Sequence, residues 1–189
     1  FRLCADTLHQ KAKELGVSVN TYLAACLMMA LQNLQAEVEP KIKKRGSIKV
    51  LLPVILRQLF PSKTLRNFAM YFTPEIQPKL GYYDFKEICH VIEHSKGAEV
   101  TPKRMSMRIA TNVGSEKMLL VKLMPLFVKN AVMKAVFDAV GERKACLTMS
   151  NLGKVKLPEP MMDYVQRLDF ILGVQATKPN NCGVITFRD

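Results

Sequence analysis

The chain has 189 residues, 49% of them apolar, a formal net charge of +12 and five cysteines. That length and apolar content suffice for one substantial domain with its own core, and the interspersed charge excludes a disordered chain. The positive balance attracts polyanions (nucleic acid, acidic lipid or a phosphorylated small molecule) without choosing among them. In chain order, Arg2–Cys4 reads as a short edge strand. Asp6 reads as the N-cap of a helix whose Leu8, Ala12 and Leu15 share one face and which Gly16 ends. His9, near that helix start, reads as a solvated polar residue. Ser18 caps a second helix to about Ala36, apolar almost all round from Tyr22 to Leu31 and therefore central. Its apolar run falls short of the ~20 residues that cross a bilayer, so no membrane span is expected. No secretory leader is visible. Lys41–Gly46 is a basic loop, either a solvated turn or a polyanion contact; no aromatic residue is interleaved, as single-strand nucleic-acid binding would require.

Ile48–Leu52, Pro53 and Val54–Leu56 form a strand that reaches Arg57, followed by a turn at Phe60–Lys63 and a second apolar-aromatic strand after Asn67. Arg57 and Asn67 are polar groups where two buried strands end, a place that suits a ligand or a structural clamp. Thr73–Gly81, with Pro74 and Pro78, reads as a connection. Asp84 starts a helix with Phe85, Ile88, Cys89 and Ile92 on one face. The same helix carries His90-Val91-Ile92-Glu93-His94, formally an HxxEH metallopeptidase pattern. Helical spacing turns both histidines away from the apolar stripe, and nothing downstream supplies a third ligand, so no metal is expected.

Thr101-Pro102 opens a helix to about Asn112 that Val113-Gly114 breaks; Ser115-Glu116 opens another and Pro125 kinks or restarts it. Val128, Ala131, Val132, Ala135, Val136 and Ala139 form a stripe whose alanines allow close approach to a sheet, and Gly141 ends the helix. Ala145–Met149 reads as a strand and Ser150-Asn151-Leu152-Gly153 as a polar turn. Lys156–Pro160 is a loop, and Leu168–Val174 and Gly183–Phe187 are two strands able to pair as a hairpin around Thr177–Cys182. The whole is mixed α/β, about five strands and five or six helices in one domain spanning residues 1–189. Cys4, Cys26, Cys89, Cys146 and Cys182 are odd in number and widely spaced, without CxxC, so reduced thiols and a cytoplasmic location are expected. No Walker loop, GxGxxG or GxSxG occurs.

Three stretches carry a resemblance. Leu52-Pro53-Val54-Ile55-Leu56-Arg57 with Phe60-Pro61-Ser62 and Leu65-Arg66-Asn67-Phe68 resembles the superfamily of chloramphenicol acetyltransferase, closest to bacterial alcohol acetyltransferases and peptide-synthetase condensation domains. Gly16-Val17-Ser18-Val19-Asn20 is similar to the family's Gly-Val-Ser-x-Asn helix start, and Ser150-Asn151-Leu152-Gly153 to its late strand-end motif. Ile55 departs from the family's Asn or Asp, and the His-His-x-x-x-Asp-Gly motif that carries the general base is absent. The resemblance therefore covers only the C-terminal half of such an enzyme. It implies a mixed sheet covered by helices, half of a two-layer sandwich, with an active-site tunnel against an N-terminal half that carries the catalytic His. It also implies transfer of an acetyl or acyl group from acetyl-CoA or acyl-CoA to an alcohol, with no tightly bound cofactor. Ser150, or the amide of Asn151, would donate to the oxyanion; Arg57 and Asn67 would shape the substrate tunnel or hold the sheet crossover, and Asn151 would also contact substrate. The chain alone would be inactive, and apolar surface at the inter-half face would favour a homodimer. The alternatives are a non-catalytic interaction module of the same fold and, against the absence of any helix-turn-helix, zinc-finger or RNA-recognition signature, a basic nucleic-acid-binding domain.

Overall fold

The computed structural model describes residues 2–64, 68–117, 123, 125–136, 145–173 and 181–187. Helix α1 covers Ala5–Glu14 with Cys4 at the N-cap, so the expected strand at Arg2–Cys4 and the expected cap at Asp6 are both corrected. Asp6 instead lies in the first turn, where its carboxylate complements the helix dipole. The end is as expected: Gly16, at φ 67°, lets its own N–H reach the Lys13 carbonyl and the Val17 N–H reach the Ala12 carbonyl. Helix α2, Val19–Val38, is capped by the Ser18 hydroxyl, which accepts from the Thr21 N–H.

Strand β1 is Ile48–Ile55, running through Pro53, and a 3-10 turn at Leu56–Gln58 follows it. β2 is Ala69–Phe72 and β3 is Glu75–Ile76. Both pair antiparallel with β1 and hold a single register, from Ile55 against Ala69 to Ile48 against Ile76. They form one strand interrupted at Thr73-Pro74, where the Pro74 carbonyl still accepts from the Val50 N–H. Proline's missing donor breaks the ladder without ending the run, so the connection expected over Thr73–Gly81 starts only after Ile76.

Helix α3, Phe85–Glu99, begins with a full capping box between Asp84 and Glu87. Helix α4 spans Pro102–Lys117, with the Thr101 hydroxyl accepting from the Arg104 N–H. It passes through Val113-Gly114, where a break was expected. An interior glycine costs a helix only about 1 kcal/mol and need not stop it. Helix α5, Leu126–Val136, restarts after Pro125, whose carbonyl accepts the Lys129 N–H. Its apolar stripe does not meet a sheet: none of its described side chains is buried. Ala139 and Gly141 lie outside the described residues.

β4 is Leu147–Lys154, so Ser150–Gly153 belongs to a strand and not a turn. Helix α6 is the single turn Glu159–Met162, which begins within the loop expected at Lys156–Pro160 and runs beyond it. β5, Asn181–Thr186, runs parallel to β4, and the strand expected to pair with it as a hairpin is not formed by residues 168–173. Residues 168–173 form no strand; Val174 and Thr177–Asn180 lie outside the described residues. A Cβ on Gly183 would come within 2.5 Å of the Phe170 carbonyl oxygen, so the 168–173 segment crosses the face of β5 instead of lining its edge.

The fold is α/β: a mixed five-stranded sheet, ordered β2-β1-β4-β5 with β3 also on β1, and six described α-helices. One face carries Ile48, Val50, Leu52, Phe72, Leu147 and Met149, buried against Ala24, Ala25 and Met28 of α2 and Ile88, Cys89 and Ile92 of α3. Fully burying such side chains stabilises by about 1.5–3 kcal/mol each, so this layer fixes the sheet. The other face is half-buried and carries Lys49, which pairs with Glu75 at 2.9 Å, together with Thr148 and Ser150. Among the described residues no single helix is long and apolar enough to cross a membrane.

Candidate functional site

The sheet parts at the carboxyl ends of β1 and β4. Their parallel ladder pairs Val50 with Leu147 and Leu51 with Thr148 and goes no further. The cause is Pro53. Val50 and Leu56 send their N–H groups toward the β2–β3 side, to Pro74 and Phe68. Odd-numbered donors therefore face β4, and at position 53 there is none. Open parallel sheets bind ligands just beyond strand carboxyl ends, where neighbours separate.

Ser150 and Asn151 sit on β4 just past that point. Leu147 and Met149 point into the core, so Ser150, by alternation, points to the open face, where it is half-buried. Its partner on β5 is Gly183, over which Phe170 packs. The hydroxyl thus lies beside an aromatic residue and a strand position without a side chain. Asn151 is engaged on both sides. Its Nδ2 donates to Oδ1 of Asn20 in the first turn of α2 at 2.7 Å, and its Oδ1 accepts the Gly153 N–H at 2.8 Å. Gly153, at φ 70°, adopts a left-handed conformation that an L side chain would strain. It falls where the β4–β5 register shifts, between Asn151 and Lys154.

Arg57 is exposed and donates from Nη2 to the Thr64 carbonyl at 2.7 Å, clamping the turn after β1. Asn67 lies outside the described residues. Ile55, at the end of β1, is 51% exposed. Ser150 thus lies on the open face with Pro53 of β1 and with Phe170 over its partner Gly183, while Asn151 turns the other way to bond Asn20 of α2 on the core side. The Asn20–Asn151 bond spans 131 positions of sequence, and only the two motifs hinted at either partner.

Next to this corner, the buried Thr21 hydroxyl donates to Glu93 Oε1 at 2.5 Å and contacts the Ser18 hydroxyl at 2.8 Å. Glu93 also meets Lys96 at 3.5 Å. The carboxylate of the HxxEH pattern is therefore committed to α2, while His90 and His94 face solvent. Among the described residues no group of three His, Cys, Asp or Glu is placed to hold a metal. Cys182, opposite Met149 on the core face of β5, has its thiol pushed up by burial, which makes it a poor nucleophile at neutral pH. In the basic loop Arg45 donates from Nε to the Glu39 carbonyl at 3.0 Å, while Lys41, Lys43 and Lys44 are exposed.

The chain matches no protein-family model and no curated protein sequence.

Proposed function

We propose that this chain is one lobe of an acyltransferase that moves an acetyl or longer acyl group from a coenzyme A thioester to an alcohol, with the general base supplied by a histidine of a second lobe. The observation that carries this reading is the Asn20–Asn151 hydrogen bond. It joins two of the stretches on which the family resemblance rests, the Gly16–Asn20 helix start and the Ser150–Gly153 strand end. It does so where β1, bearing the third stretch at Leu52–Arg57, parts from β4. The three histidines of this chain are exposed, and His90 and His94 lie on a helix that covers the opposite face of the sheet from Ser150, which favours a base from elsewhere.

In the proposed reaction the partner lobe's histidine takes the alcohol proton and the alkoxide oxygen attacks the thioester carbonyl. The tetrahedral oxyanion then collapses, the C–S bond breaks, and the coenzyme thiolate leaves with the proton returned by the histidine. Ser150 donates a hydrogen bond to the oxyanion. The Asn151 side chain, already engaged on both sides, positions the strand end. Arg57 holds the turn beyond β1, and acetyl-CoA or acyl-CoA is a substrate passing through.

The test is steady-state kinetics of the complete reading frame, following coenzyme A release with short-chain alcohols. Ser150→Ala should lower kcat by about 10²-fold with little change in KM, as expected when one oxyanion donor is lost. Unchanged kcat removes that role. No turnover in a complete protein whose second lobe lacks the histidine would favour a non-catalytic interaction module, a reading that the exposed apolar Ile55 also suits.

A further inference from the structure

The amino end of β1, at the far end of that strand from the Ser150 corner, gathers a different set of side chains. Three segments meet there. Helix α2 ends at Val38, the 3-10 turn Ile42–Lys44 leads into β1, and the 3-10 turn Pro78–Leu80 follows β3, whose Ile76 pairs with Ile48. The two 3-10 turns pack on one another. Both are tied to α2. Buried Gln32 of α2 donates from Nε2 to the Tyr83 carbonyl at 2.9 Å and accepts the Tyr83 N–H on Oε1 at 3.1 Å. The Tyr82 hydroxyl bonds Oδ1 of Asn33 at 3.2 Å, and Arg45 holds the carbonyl of Glu39, the C-cap of α2.

This frame holds aliphatic side chains out in water. Val38 is 78% exposed, Leu80 73% and Ile42 50%. Lys41, Lys43, Lys44 and Lys79, all exposed, stand among them. Residues 38–46 and 77–82 together hold five basic groups and one acid, Glu39, whose Oε1 accepts the Lys41 N–H. Of the acids just outside these segments, Asp84 and Glu87 bond each other's backbone in the capping box of α3, and Glu37 is exposed.

Lysines alone would suit any polyanion. The aliphatic tips between them narrow the partner. The phosphate rim of duplex nucleic acid offers them nothing apolar. Single strands call for aromatic platforms, and the exposed aromatic residue here, Tyr82, has its hydroxyl bonded to α2. An anionic bilayer offers both chemistries in one plane: headgroup phosphates and carboxylates for the ammonium groups, and the acyl boundary for the aliphatic tips. We infer that this corner docks on the surface of an anionic phospholipid bilayer, with Val38, Ile42 and Leu80 entering the headgroup layer and the four lysines on lipid phosphates. The inference stands apart from the catalytic reading: Ser150 lies at the other end of the sheet, and docking needs no acyl transfer.

The experiment is flotation of the 189-residue chain with vesicles of phosphatidylserine and phosphatidylcholine in equal parts, and with vesicles of phosphatidylcholine alone, at low and high salt. Binding to the mixed vesicles is expected, weaker by at least about tenfold without phosphatidylserine or at high salt. The double variant Lys43→Glu with Lys44→Glu should lower the partition coefficient by at least about tenfold. Leu80→Ser, which removes only an exposed apolar group, should lower it by about fivefold or more. Both variants should keep the wild-type circular dichroism spectrum, since every changed side chain is exposed. Lys103→Glu with Arg104→Glu makes the same charge change at the start of α4, beyond the 15 residues of α3 from this corner, a helix length of about 22 Å. That pair should lower binding by less than about threefold. No binding to the mixed vesicles overturns the inference. Equal losses in the two charge-reversed pairs also overturn it, because the attraction would then belong to net charge and not to this corner. Binding that Leu80→Ser leaves unchanged overturns it too, because no side chain would then enter the lipid. Tighter binding to duplex or single-stranded DNA than to the mixed vesicles at the same salt, lost with Lys43→Glu and Lys44→Glu, would overturn it in favour of nucleic acid.

Discussion

The Asn20–Asn151 contact makes a quantitative prediction. Asn151→Ala removes two neutral hydrogen bonds, the 2.7 Å bond to Asn20 and the 2.8 Å bond from the Gly153 N–H. Each contributes about 1 kcal/mol net, and the part-buried Gly153 donor left unpaired adds about 1 kcal/mol more. The expected loss is about 2–3 kcal/mol. Asn20→Ala removes only the first bond, between exposed partners that water can replace, and should cost about 0.5–1 kcal/mol. The double mutant should lose about as much as Asn151→Ala alone, giving a coupling of about 0.5–1 kcal/mol. Because the chain has no tryptophan, unfolding is best followed by far-ultraviolet circular dichroism in urea. With a slope of about 2 kcal/mol per molar, the Asn151→Ala midpoint should fall by about 1 M. Equal losses for the two single mutants, or coupling below about 0.3 kcal/mol, would refute the assignment of Asn151 as the group that ties β4 to α2.

Three further outcomes concern helices α1, α2 and α3. Thr21→Val keeps the shape of a side chain that is 2% exposed but removes the donor to Glu93, and should cost about 1.5 kcal/mol, toward the low end for a charge-assisted bond because Glu93 is part-exposed. That corresponds to a fall in Tm of about 3–6 °C, and a shift below about 1 °C would mean that water replaces the hydroxyl without loss. Hydrogen bonds from Thr7 hold the exposed Cys4 thiol below its ordinary value of 9.0, whereas burial pushes the Cys26 and Cys89 thiols above it. Cys4 should therefore react fastest with an aromatic disulfide at neutral pH, and Cys4→Ser should remove the fast phase. Since Cys26 and Cys89 are raised in the folded state, their thiols ionise first in the unfolded chain. Stability should be unaffected by them below pH 9.0 and should fall as pH rises above it, an alkaline loss that Cys89→Ala reduces.

Local rules made part of this fold legible. Ser18 and Asp84 each combine a short polar cap with a following apolar run, and each starts the helix it was expected to start. The apolar face at Ile88, Cys89 and Ile92 is buried as its spacing required. The misses come from partners that lie far away in sequence. Arg2–Cys4 has strand-like residues but leads straight into the N-cap of α1. Thr73-Pro74 looks like a connection because proline lacks a donor, yet β1 across the sheet holds the register through it. Residues 168–173 have strand composition, and the absent side chain of Gly183 lets their backbone cross a sheet face instead. The stripe on α5 was legible; that none of its described side chains is buried was not. At the candidate site, Ser150 and Asn151 stood out as polar residues at a strand end, but the partner of Asn151 could not be read from spacing.

Several features of that site are subtractions. Pro53 lacks the N–H that would continue the β1–β4 ladder. Gly183 lacks the Cβ that would keep Phe170 away from Ser150's register partner. Gly153 lacks the Cβ that would forbid a positive φ beside Asn151. None of them adds an attractive group. Together they leave a strand end uncommitted toward β1, while its ladder with β5 and the Asn20–Asn151 bond hold it elsewhere. A sheet built for stability alone would run its ladder on and fill those positions, because ladder bonds and cross-strand side-chain pairs each add to stability. A strand end parted from β1, paired with β5 and joined to α2 by one side-chain bond instead trades some of that stability for a half-buried hydroxyl left open on one side, which suits the role proposed for Ser150.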